Sequence, residues 1–226
     1  MAKATDAPWV IRRYEPGDRA AVAEVCLRTA ASGDDATGHY SDDSLMPDVW
    51  LIPYLEYDPS LAFVIVASDA PERPVGYVVG VADTAAFIDW WNRVWGPSFV
   101  ARHPALGAPT GANPAFTEDA LLRAGRDPER MRIADLITHP AHLHIDLLPE
   151  AQGQGLGRLL IERLCAELAA RGVPGVHLQV GPSNLGARAF YARLGFADLP
   201  SSRPDAPVLG RALMCPTPPA RRGLLR

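Results

Sequence analysis

The sequence predicts a single α/β domain, and three observations lead to that prediction. First, an apolar strand-like run breaks into a glycine-rich turn at residues 152–157, and an amphipathic helix pattern follows it. Second, the apolar runs 61–67 and 75–81 are joined by turn residues, which indicates an antiparallel hairpin. Third, the 226 residues are 48% hydrophobic and 21% charged, which is typical of one globular domain with a sizeable core.

The elements of the first third follow in order. Residues 9–14 read as a strand, and Pro16 opens a helix that continues to about Thr29. Residues 32–47 are rich in Asp, Ser and Gly and predict a loop, and 49–57 predict a second helix. The hairpin comes next.

Residues 84–140 separate the hairpin from the next predicted strand. This stretch is too long for a bare loop, so it predicts a helical insertion that packs over the substrate side. A Pro/Gly-rich passage spans 96–114 and a helical pattern spans 116–124. Three tryptophans are expected to form the core of the insertion: Trp90, Trp91 and Trp95.

The last third has the clearest periodicity. Residues 143–148 predict a strand, and leucines spaced four apart from Leu156 to Leu168 predict the helix that ends at Arg171-Gly172. The remaining predicted elements are a strand at 176–180, a helix at 184–194, a final strand at 208–214 and a flexible tail at 215–226.

Composition excludes several classes of partner. A formal net charge of −4 without a basic stripe argues against nucleic acid. The widely spaced Cys26, Cys165 and Cys215 are typical of core residues in a reducing compartment. No apolar signal stretch or membrane-spanning run is visible, so we expect a soluble, cytoplasmic protein with no membrane partner.

The glycine-rich turn predicts a ligand that carries a pyrophosphate. Unpaired N–H groups at the start of a helix bind phosphate oxygens, and glycine lets the ligand approach the main chain. The Lys-Ser/Thr pair of a Walker loop is absent, and the alternation of Gly153, Gly155 and Gly157 does not fit the dinucleotide fingerprint. A nucleotide-derived cofactor of another kind is therefore expected.

Two motifs in order resemble the GNAT superfamily of N-acetyltransferases. Gln152, Gly155 and Gly157 fill its Gln/Arg-x-x-Gly-x-Gly/Ala signature after Leu147-x-Pro149. A second motif follows about thirty residues later, namely Asn184-x-x-Ala187-x-x-Phe190-Tyr191 and then Leu194-Gly195-Phe196. The resemblance covers residues 141–199. It implies a mixed, mostly antiparallel central sheet, splayed between strands 4 and 5 and flanked by helices, with the insertion between strands 3 and 4.

A weaker resemblance covers the substrate side. Residues 53–55, 61–64 and 76–80 are similar to the acetyltransferase-like domain of eukaryotic O-GlcNAc hydrolases. Those domains are often regarded as inactive in acetyl transfer.

The GNAT resemblance implies acetyl-CoA as the donor, bound where strands 4 and 5 part. The pantetheine arm would pair with the main chain near Ile145, Leu147 and Leu148. The pyrophosphate would be held by Gln152, Gly153, Gln154, Gly155, Leu156, Gly157 and Arg158. In the second motif Asn184 would bind the pantetheine amide, with Ala187 and Phe190 nearby, although Phe190 also fits a core position.

The same resemblance implies that Tyr191 is the general acid that protonates the departing thiolate. The alternative is a core aromatic residue on an amphipathic helix. For the general base, His142, His144 and Asp146 alternate along a strand and so share one face. Asp146 is the first choice and His144 the second, whereas His142 is expected to be structural; a water relay is also open.

That His-x-His-x-Asp run has another interpretation, as metal ligands of a hydrolase. Such a site would normally have another histidine directly after Asp146, but Leu147 stands there. Only His177 follows downstream as a further histidine. We therefore expect no metal site.

The acceptor side is less readable. Asp34, Asp35 and Tyr40 lie in the loop where related enzymes meet their acceptors, and acidic groups there suit a cationic amine. They are equally explained as turn-forming residues.

Two functions remain open. The first is acetyl transfer from acetyl-CoA to a small-molecule or peptide primary amine by direct attack in a ternary complex, since no cysteine is placed for a covalent intermediate. The second is an acetyl-CoA-binding module without catalysis. Because GNAT enzymes often dimerise, a homodimer is also open.

Overall fold

The computed structural model describes residues 8–31, 33–104 and 117–213. Its centre is a seven-stranded sheet in the order β1-β2-β3-β4-β5-β7-β6. The strands are β1 (Trp9–Arg13), β2 (Ala62–Ala67), β3 (Gly76–Val81), β4 (Ala141–Leu147), β5 (Gly175–Gln179), β6 (Ala197–Asp198) and β7 (Val208–Ala212).

Strand pairing is antiparallel everywhere except between β4 and β5, which run parallel. This confirms the mixed, mostly antiparallel sheet and the hairpin of β2 and β3. The two-residue strand β6 was not predicted, because it is too short to show alternation in the sequence.

The β4–β5 pair is joined at one end only. Its register consists of Ala141 opposite Val176 and His142 opposite His177. Beyond His142, β4 continues to Leu147 while paired with β3 alone. The predicted splay between strands 4 and 5 is therefore confirmed, and it leaves one edge of β4 open.

Helices cover both faces of the sheet. Their bounds are α1 (Arg19–Arg28), α2 (Leu45–Trp50), α3 (Ile52–Tyr57), α4 (Thr84–Trp90), α5 (Gly96–Arg102), α6 (Glu118–Arg126), α7 (Leu156–Ala170) and α8 (Leu185–Arg193). The long helix α7 packs on β2, β3 and β4, and its Leu164 lies against Gly80. The opposite face, which carries the β4 histidines, meets α1 and α3.

The predicted second helix is divided in two. Leu51 leaves helical geometry, with φ −133° and ψ −59°, and separates α2 from α3. Pro53 explains the break, since it has no N–H for the carbonyl of Val49 and its ring would clash with that carbonyl. The division places Trp50 and Tyr54 on separate short helices above the same part of β4.

The segment between β3 and β4 is helical in its described residues, as predicted. A π-helical turn, Trp91–Trp95, joins α4 to α5, and α6 follows with Thr117 as its N-cap. Trp91 and Trp95 are buried, and their Nε1–H groups donate to the carbonyls of Gly125 and Asp48 at 2.9 and 3.1 Å. Helix α5 lies in the first part of the Pro/Gly-rich passage 96–114, where no helical pattern is visible in the sequence.

The structure also bears on the predictions about the cysteines and about membrane-spanning segments. Cys26 and Cys165 are buried free thiols, whereas Cys215 and the predicted tail lie outside the described residues. Among the described helices, none has the length and apolar character needed to cross a membrane.

Candidate active site

The open edge of β4 faces the gap left by β5. Main-chain groups alternate in an antiparallel ladder, pointing to one neighbour and then the other. Leu148 N–H donates to Val75 O at 2.9 Å, so alternate residues back along β4 also bond to β3. Ile145 and Leu147 therefore direct their main-chain groups towards the gap, as the donor site requires.

Leu148 uses its main-chain groups within the protein, and its place in the donor site stays a prediction. Its N–H is used by Val75, and its carbonyl accepts from Ala151 N at 2.9 Å. The chain turns at Pro149 immediately after the strand, so Leu148 closes this turn and has no free main-chain group to offer a pantetheine arm.

The glycine-rich turn has the geometry that anion binding needs. Gly153 and Gly155 have φ values of +73° and +77°, in the left-handed region that favours glycine. Gly155 is the N-cap of α7. Within the described chain, no carbonyl or side chain accepts from the amides of residues 153–158. These N–H groups lie at the positive end of a fifteen-residue helix.

The glutamine side chains support the turn. Gln152 Nε2 donates to Leu147 O at 2.8 Å, and Gln154 Nε2 donates to Glu150 O at 2.7 Å. Trp9 Nε1 donates to Gln154 Oε1 at 2.7 Å. Because these amides are bound to the protein, the main chain is what the turn presents to a ligand.

The remaining residues of the predicted cofactor loop are partly buried in helix packing and partly exposed on the surface. Leu156 is buried and Arg158 is exposed. A Cβ at Gly157 would lie 3.3 Å from Cζ of Phe190, so this glycine lets α8 approach the start of α7. Phe190 therefore packs between the two helices.

Helix α8 begins beside the gap. Asn184 caps it, with Oδ1 accepting from Ala187 N at 2.9 Å, which leaves Nδ2 as the side chain's donor. Tyr191 lies about two turns after Asn184, in contact with the rings of Phe190 and Phe196. Burial and the charge of Asp146 raise the pKa of Tyr191, so the phenol keeps its proton.

Asp146 is half-buried and accepts a hydrogen bond from the Tyr77 hydroxyl, which stands opposite it on β3. Burial raises the pKa of Asp146, while the hydrogen bonds from Tyr77 and Thr29 oppose that shift. The pKa of Tyr77 is raised well above its usual value, first by burial and then by Asp146. Tyr77 therefore remains the donor, and Asp146 is the group that carries charge.

His142 and His144 share the face of Asp146, as predicted, and both contact Tyr54. The Tyr54 hydroxyl lies 2.8 Å from His142 Nε2 and 2.9 Å from His144 Nε2. His142 Nδ1 lies 2.7 Å from Thr84 Oγ1, whose hydroxyl donates to Pro140 O at 2.6 Å.

This chain of contacts sets the direction of every hydrogen bond. Because Thr84 donates to a carbonyl, it accepts from His142 Nδ1–H. His142 Nε2 then accepts from the Tyr54 hydroxyl, and the Tyr54 oxygen accepts from His144 Nε2–H. The arrangement makes Nδ1 of His144 the nitrogen that carries the lone pair.

Both histidines are neutral. Burial, followed by His177, lowers the pKa of His142 well below its usual value. Burial and Arg130 lower the pKa of His144 to about 3. His142 is 5% exposed, which agrees with its predicted structural role.

The metal-ligand interpretation of His142, His144 and Asp146 finds no support in these contacts. Both nitrogens of His142 and Nε2 of His144 contact Tyr54 or Thr84, and the carboxyl group of Asp146 faces Tyr77. Across residues 8–31, 33–104 and 117–213, no three His, Cys, Asp or Glu residues are grouped as metal ligands.

The predicted acceptor loop forms turns. Asp34 is exposed and pairs through its main chain with Ala31, and Asp35 Oδ1 accepts from Thr37 N at 2.8 Å. Tyr40 is 8% exposed and belongs to the core, where burial raises its pKa, and its role towards an acceptor stays a prediction. A role for Asp34 and Asp35 towards an acceptor stays a prediction.

Sequence reasoning missed four side chains around the gap: Trp50, Tyr54, Tyr77 and Arg130. Tyr77 could have been found from the register of β3 against β4, since it stands opposite Asp146. The others reach β4 from segments remote in the sequence, and no local pattern marks them.

A sheet opened between two parallel strands, with an amide-lined turn at the end of one, defines an acyl-CoA-dependent transferase. Residues 34–196 match the Acetyltransferase (GNAT) family. The chain belongs to this family, which uses acetyl-CoA as its acetyl donor.

A solved structure agrees over most of the chain. The crystal structure of SsHAT is 40% identical, with a TM-score of 0.79, and the match covers 91% of this chain and 98% of that one. A second structure, PH1933 from Pyrococcus horikoshii OT3, shares the fold at 15% identity and a TM-score of 0.54, covering 91% and 98% of the two chains.

Two curated relatives match over shorter stretches. The mycothiol acetyltransferase of Thermomonospora curvata is 37% identical over 117 residues, which are 47% of this chain and 39% of that protein. The [ribosomal protein bS18]-alanine N-acetyltransferase of Escherichia coli is 52% identical over 48 residues, or 21% and 32% of the two chains. The chain thus spans about two fifths or less of the length of these relatives.

Proposed function

We propose that this chain is an N-acetyltransferase that moves the acetyl group of acetyl-CoA to a primary amine by direct attack in a ternary complex. The observation that carries the proposal is the open edge of β4 next to the unpaired amides of residues 153–158. Acetyl-CoA supplies an activated acetyl thioester. The amides would hold its diphosphate, and the N–H of Ile145 would donate to the thioester carbonyl, where negative charge develops.

Asp146 and Tyr191 are assigned to proton transfer. The amine nitrogen forms a bond to the carbonyl carbon as the carbon–sulfur bond breaks. Asp146 would accept the proton that the amine loses, and the Tyr191 hydroxyl would donate a proton to the departing sulfur. The raised pKa of Asp146 makes it a stronger base than an exposed aspartate, and the influence of its charge on Tyr191 supports their placement at one site.

His144 is the second candidate for the base. Its Nδ1 carries the lone pair, but a pKa of about 3 makes the imidazole a weak proton acceptor at neutral pH. A water held by His144 could relay the proton to Asp146. Support for an amine acceptor comes from relatives, one of which is an alanine N-acetyltransferase by name.

A second candidate function is acetyl-CoA binding without catalysis. The observation that favours it is the same weak basicity of His144, together with the hydrogen bond that already occupies Asp146. In that case the donor would bind at the turn and no amine would be acetylated.

One experiment separates these functions. A panel of primary amines is incubated with acetyl-CoA and analysed by mass spectrometry, using wild type, Tyr191→Phe and the control Tyr14→Phe. Tyr191→Phe is expected to lower the transfer rate by about 10²-fold to 10⁴-fold, and Tyr14→Phe to leave it unchanged. Equal rates for all three would remove Tyr191 as the acid. Calorimetric binding of acetyl-CoA without any transfer would support the second function.

A further inference from the structure

Arg130 lies beside the candidate site in a fixed position. It belongs to the 3₁₀ turn Pro128–Met131, and its Nε donates to Ala124 O at 3.0 Å. The guanidinium carbon lies 4.6 Å from the ring centre of Trp50 and 5.7 Å from that of Trp91. Stacking on two indole rings and the hydrogen bond to Ala124 hold the side chain in place.

Arg130 forms no ion pair within the described residues, and Asp127, the carboxylate whose charge opposes the lowering of its pKa by burial, lies beyond 4.0 Å. The Nη2 of Arg130 is buried without a hydrogen-bond acceptor, and no described carboxylate lies within 4.0 Å. A guanidinium N–H that is removed from water without an acceptor is unfavourable, so the unsatisfied Nη2 points to an anion that binds there.

Trp50 offers a second donor next to the first. Its Nε1 is also buried and also lacks an acceptor. Buried indole N–H groups usually find a partner, and most polar groups in protein interiors are satisfied. Two adjacent side chains with unsatisfied donors are together suited to the oxygen atoms of one ligand group.

The pair lies over the open part of the sheet. The Trp50 ring is 5.2 Å from the ring of His144 on β4, in edge-to-face contact. The carbonyl of Arg130 accepts a long, 3.5 Å hydrogen bond from Gln179 Nε2 at the end of β5. The two residues therefore bridge the strands that part, on the face that carries His144 and Asp146, whereas α7 covers the opposite face.

We propose that Arg130 and Trp50 bind a carboxylate of the acceptor, so that the substrate class is an amine that also carries a carboxylate, such as a free amino acid. This assignment rests on the proposed acetyl transfer and gives it a substrate class. Arg130 Nη2 and Trp50 Nε1 donate to the carboxylate oxygens, and the amine of the same molecule is then held near Asp146. The positive charge on Arg130 disfavours amines that have no anionic group.

Matched acceptors test the proposal. Amino acids and their carboxamides are compared as acceptors, since each pair differs only at the carboxylate. Wild type is expected to show a KM about tenfold to 100-fold lower for the amino acid than for its amide. Arg130→Gln removes that difference, and Trp50→Phe, which keeps the ring but lacks the N–H, reduces it. Arg132→Gln is the control, because Arg132 is half exposed and paired with Glu129 at 2.6 Å.

The KM for acetyl-CoA separates a binding role from a structural one. It is expected to stay unchanged in Arg130→Gln and Trp50→Phe. Acetylation of amides as readily as amino acids, or an Arg130→Gln effect of the same size on both, would overturn the carboxylate site while leaving acetyl transfer intact. If no amine is acetylated, calorimetric titration of amino acids into the CoA-saturated protein decides: binding that Arg130→Gln abolishes supports the site, and absence of binding overturns it.

Discussion

The hydroxyl oxygen of Tyr54 lies 2.9 Å from Nε2 of His144. The same hydroxyl reaches His142, so one tyrosine on α3 joins two histidines on β4 and fixes the tautomer of each. The network links the floor of the candidate site to α4 through Thr84.

Tyr54→Phe tests this network. It leaves buried nitrogens of His142 and His144 without a partner, and each unsatisfied group costs about 1–3 kcal/mol. We expect the free energy of unfolding, measured with urea, to fall by roughly 2 kcal/mol or more. Tyr57→Phe on the same helix is the control, and a change below about 0.5 kcal/mol is expected there. Equal effects of the two variants would mean that the network contributes nothing of its own.

Asp146→Asn tests the assignment of the base. The substitution keeps the side-chain shape but removes the proton acceptor, so kcat is expected to fall by about 10²-fold to 10⁴-fold. Since the pKa of Asp146 is raised, the acid limb of the wild-type pH–rate profile should lie above the ordinary aspartate value of about 3.9. In Asp146→Asn this limb should disappear.

The pH–rate profile also distinguishes Asp146 from His144 as the general base. With a pKa of about 3, His144 stays neutral over the range in which Asp146 titrates. If the acid limb of the wild type persisted unchanged in Asp146→Asn, Asp146 would be excluded as the base.

Three histidines whose pKa values are strongly lowered, His142, His144 and His177, predict instability in acid. The pKa of His144 is lowered to about 3 and that of His177 to about 4, and His142 is lowered well below its usual value. In the unfolded chain these histidines become protonated near pH 6.5, whereas in the folded chain they stay neutral to a lower pH. Their contribution to stability is therefore present above about pH 6.5 and is lost as the pH falls below it. Each histidine contributes roughly 1.4 kcal/mol per pH unit.

Urea unfolding between pH 7 and pH 4.5 measures this slope. His177→Gln is expected to make it shallower by about one proton, or roughly 1.4 kcal/mol per pH unit. Carboxylates with lowered pKa values, such as Asp18 and Asp35, act at lower pH. Asp146, whose pKa is raised, opposes the loss of stability in acid, and His139, whose pKa is lowered, adds to it. A stability that stays level down to pH 4.5 would contradict the neutral, buried state of the three rings.

Local patterns were enough to predict most strands, the hairpin and the turn before α7, whereas the order of the sheet and its splay were predicted from the resemblance to the GNAT superfamily. The leucine spacing of α7 and the glycines at 153 and 155 are short-range signals, because positive φ and helix burial constrain neighbouring residues directly. The surroundings of Leu148 and Tyr40 could not be predicted in this way. Whether a main-chain group is free, or a loop tyrosine is buried, depends on elements that pack from elsewhere in the chain.

The acceptor side shows the same limit. Trp50 and Arg130 are 80 positions apart in the numbering and meet only because α2 and the turn after α6 both pack above β4. No period or motif marks either residue. Their buried donors without acceptors are evident only from the packing of the folded chain.

Calorimetric titration of acetyl-CoA into Gly155→Ala and Gly172→Ala tests the central claim most directly. Both glycines have left-handed φ, +77° and +76°, no atom lies near either added Cβ, and they stand at opposite ends of α7, so the strain is matched. We expect Gly155→Ala to bind acetyl-CoA about tenfold to 100-fold more weakly than wild type, because the amides at the start of α7 hold the diphosphate, and Gly172→Ala to bind normally. Equal affinities for the two variants, or no heat of binding with wild type, would contradict the account.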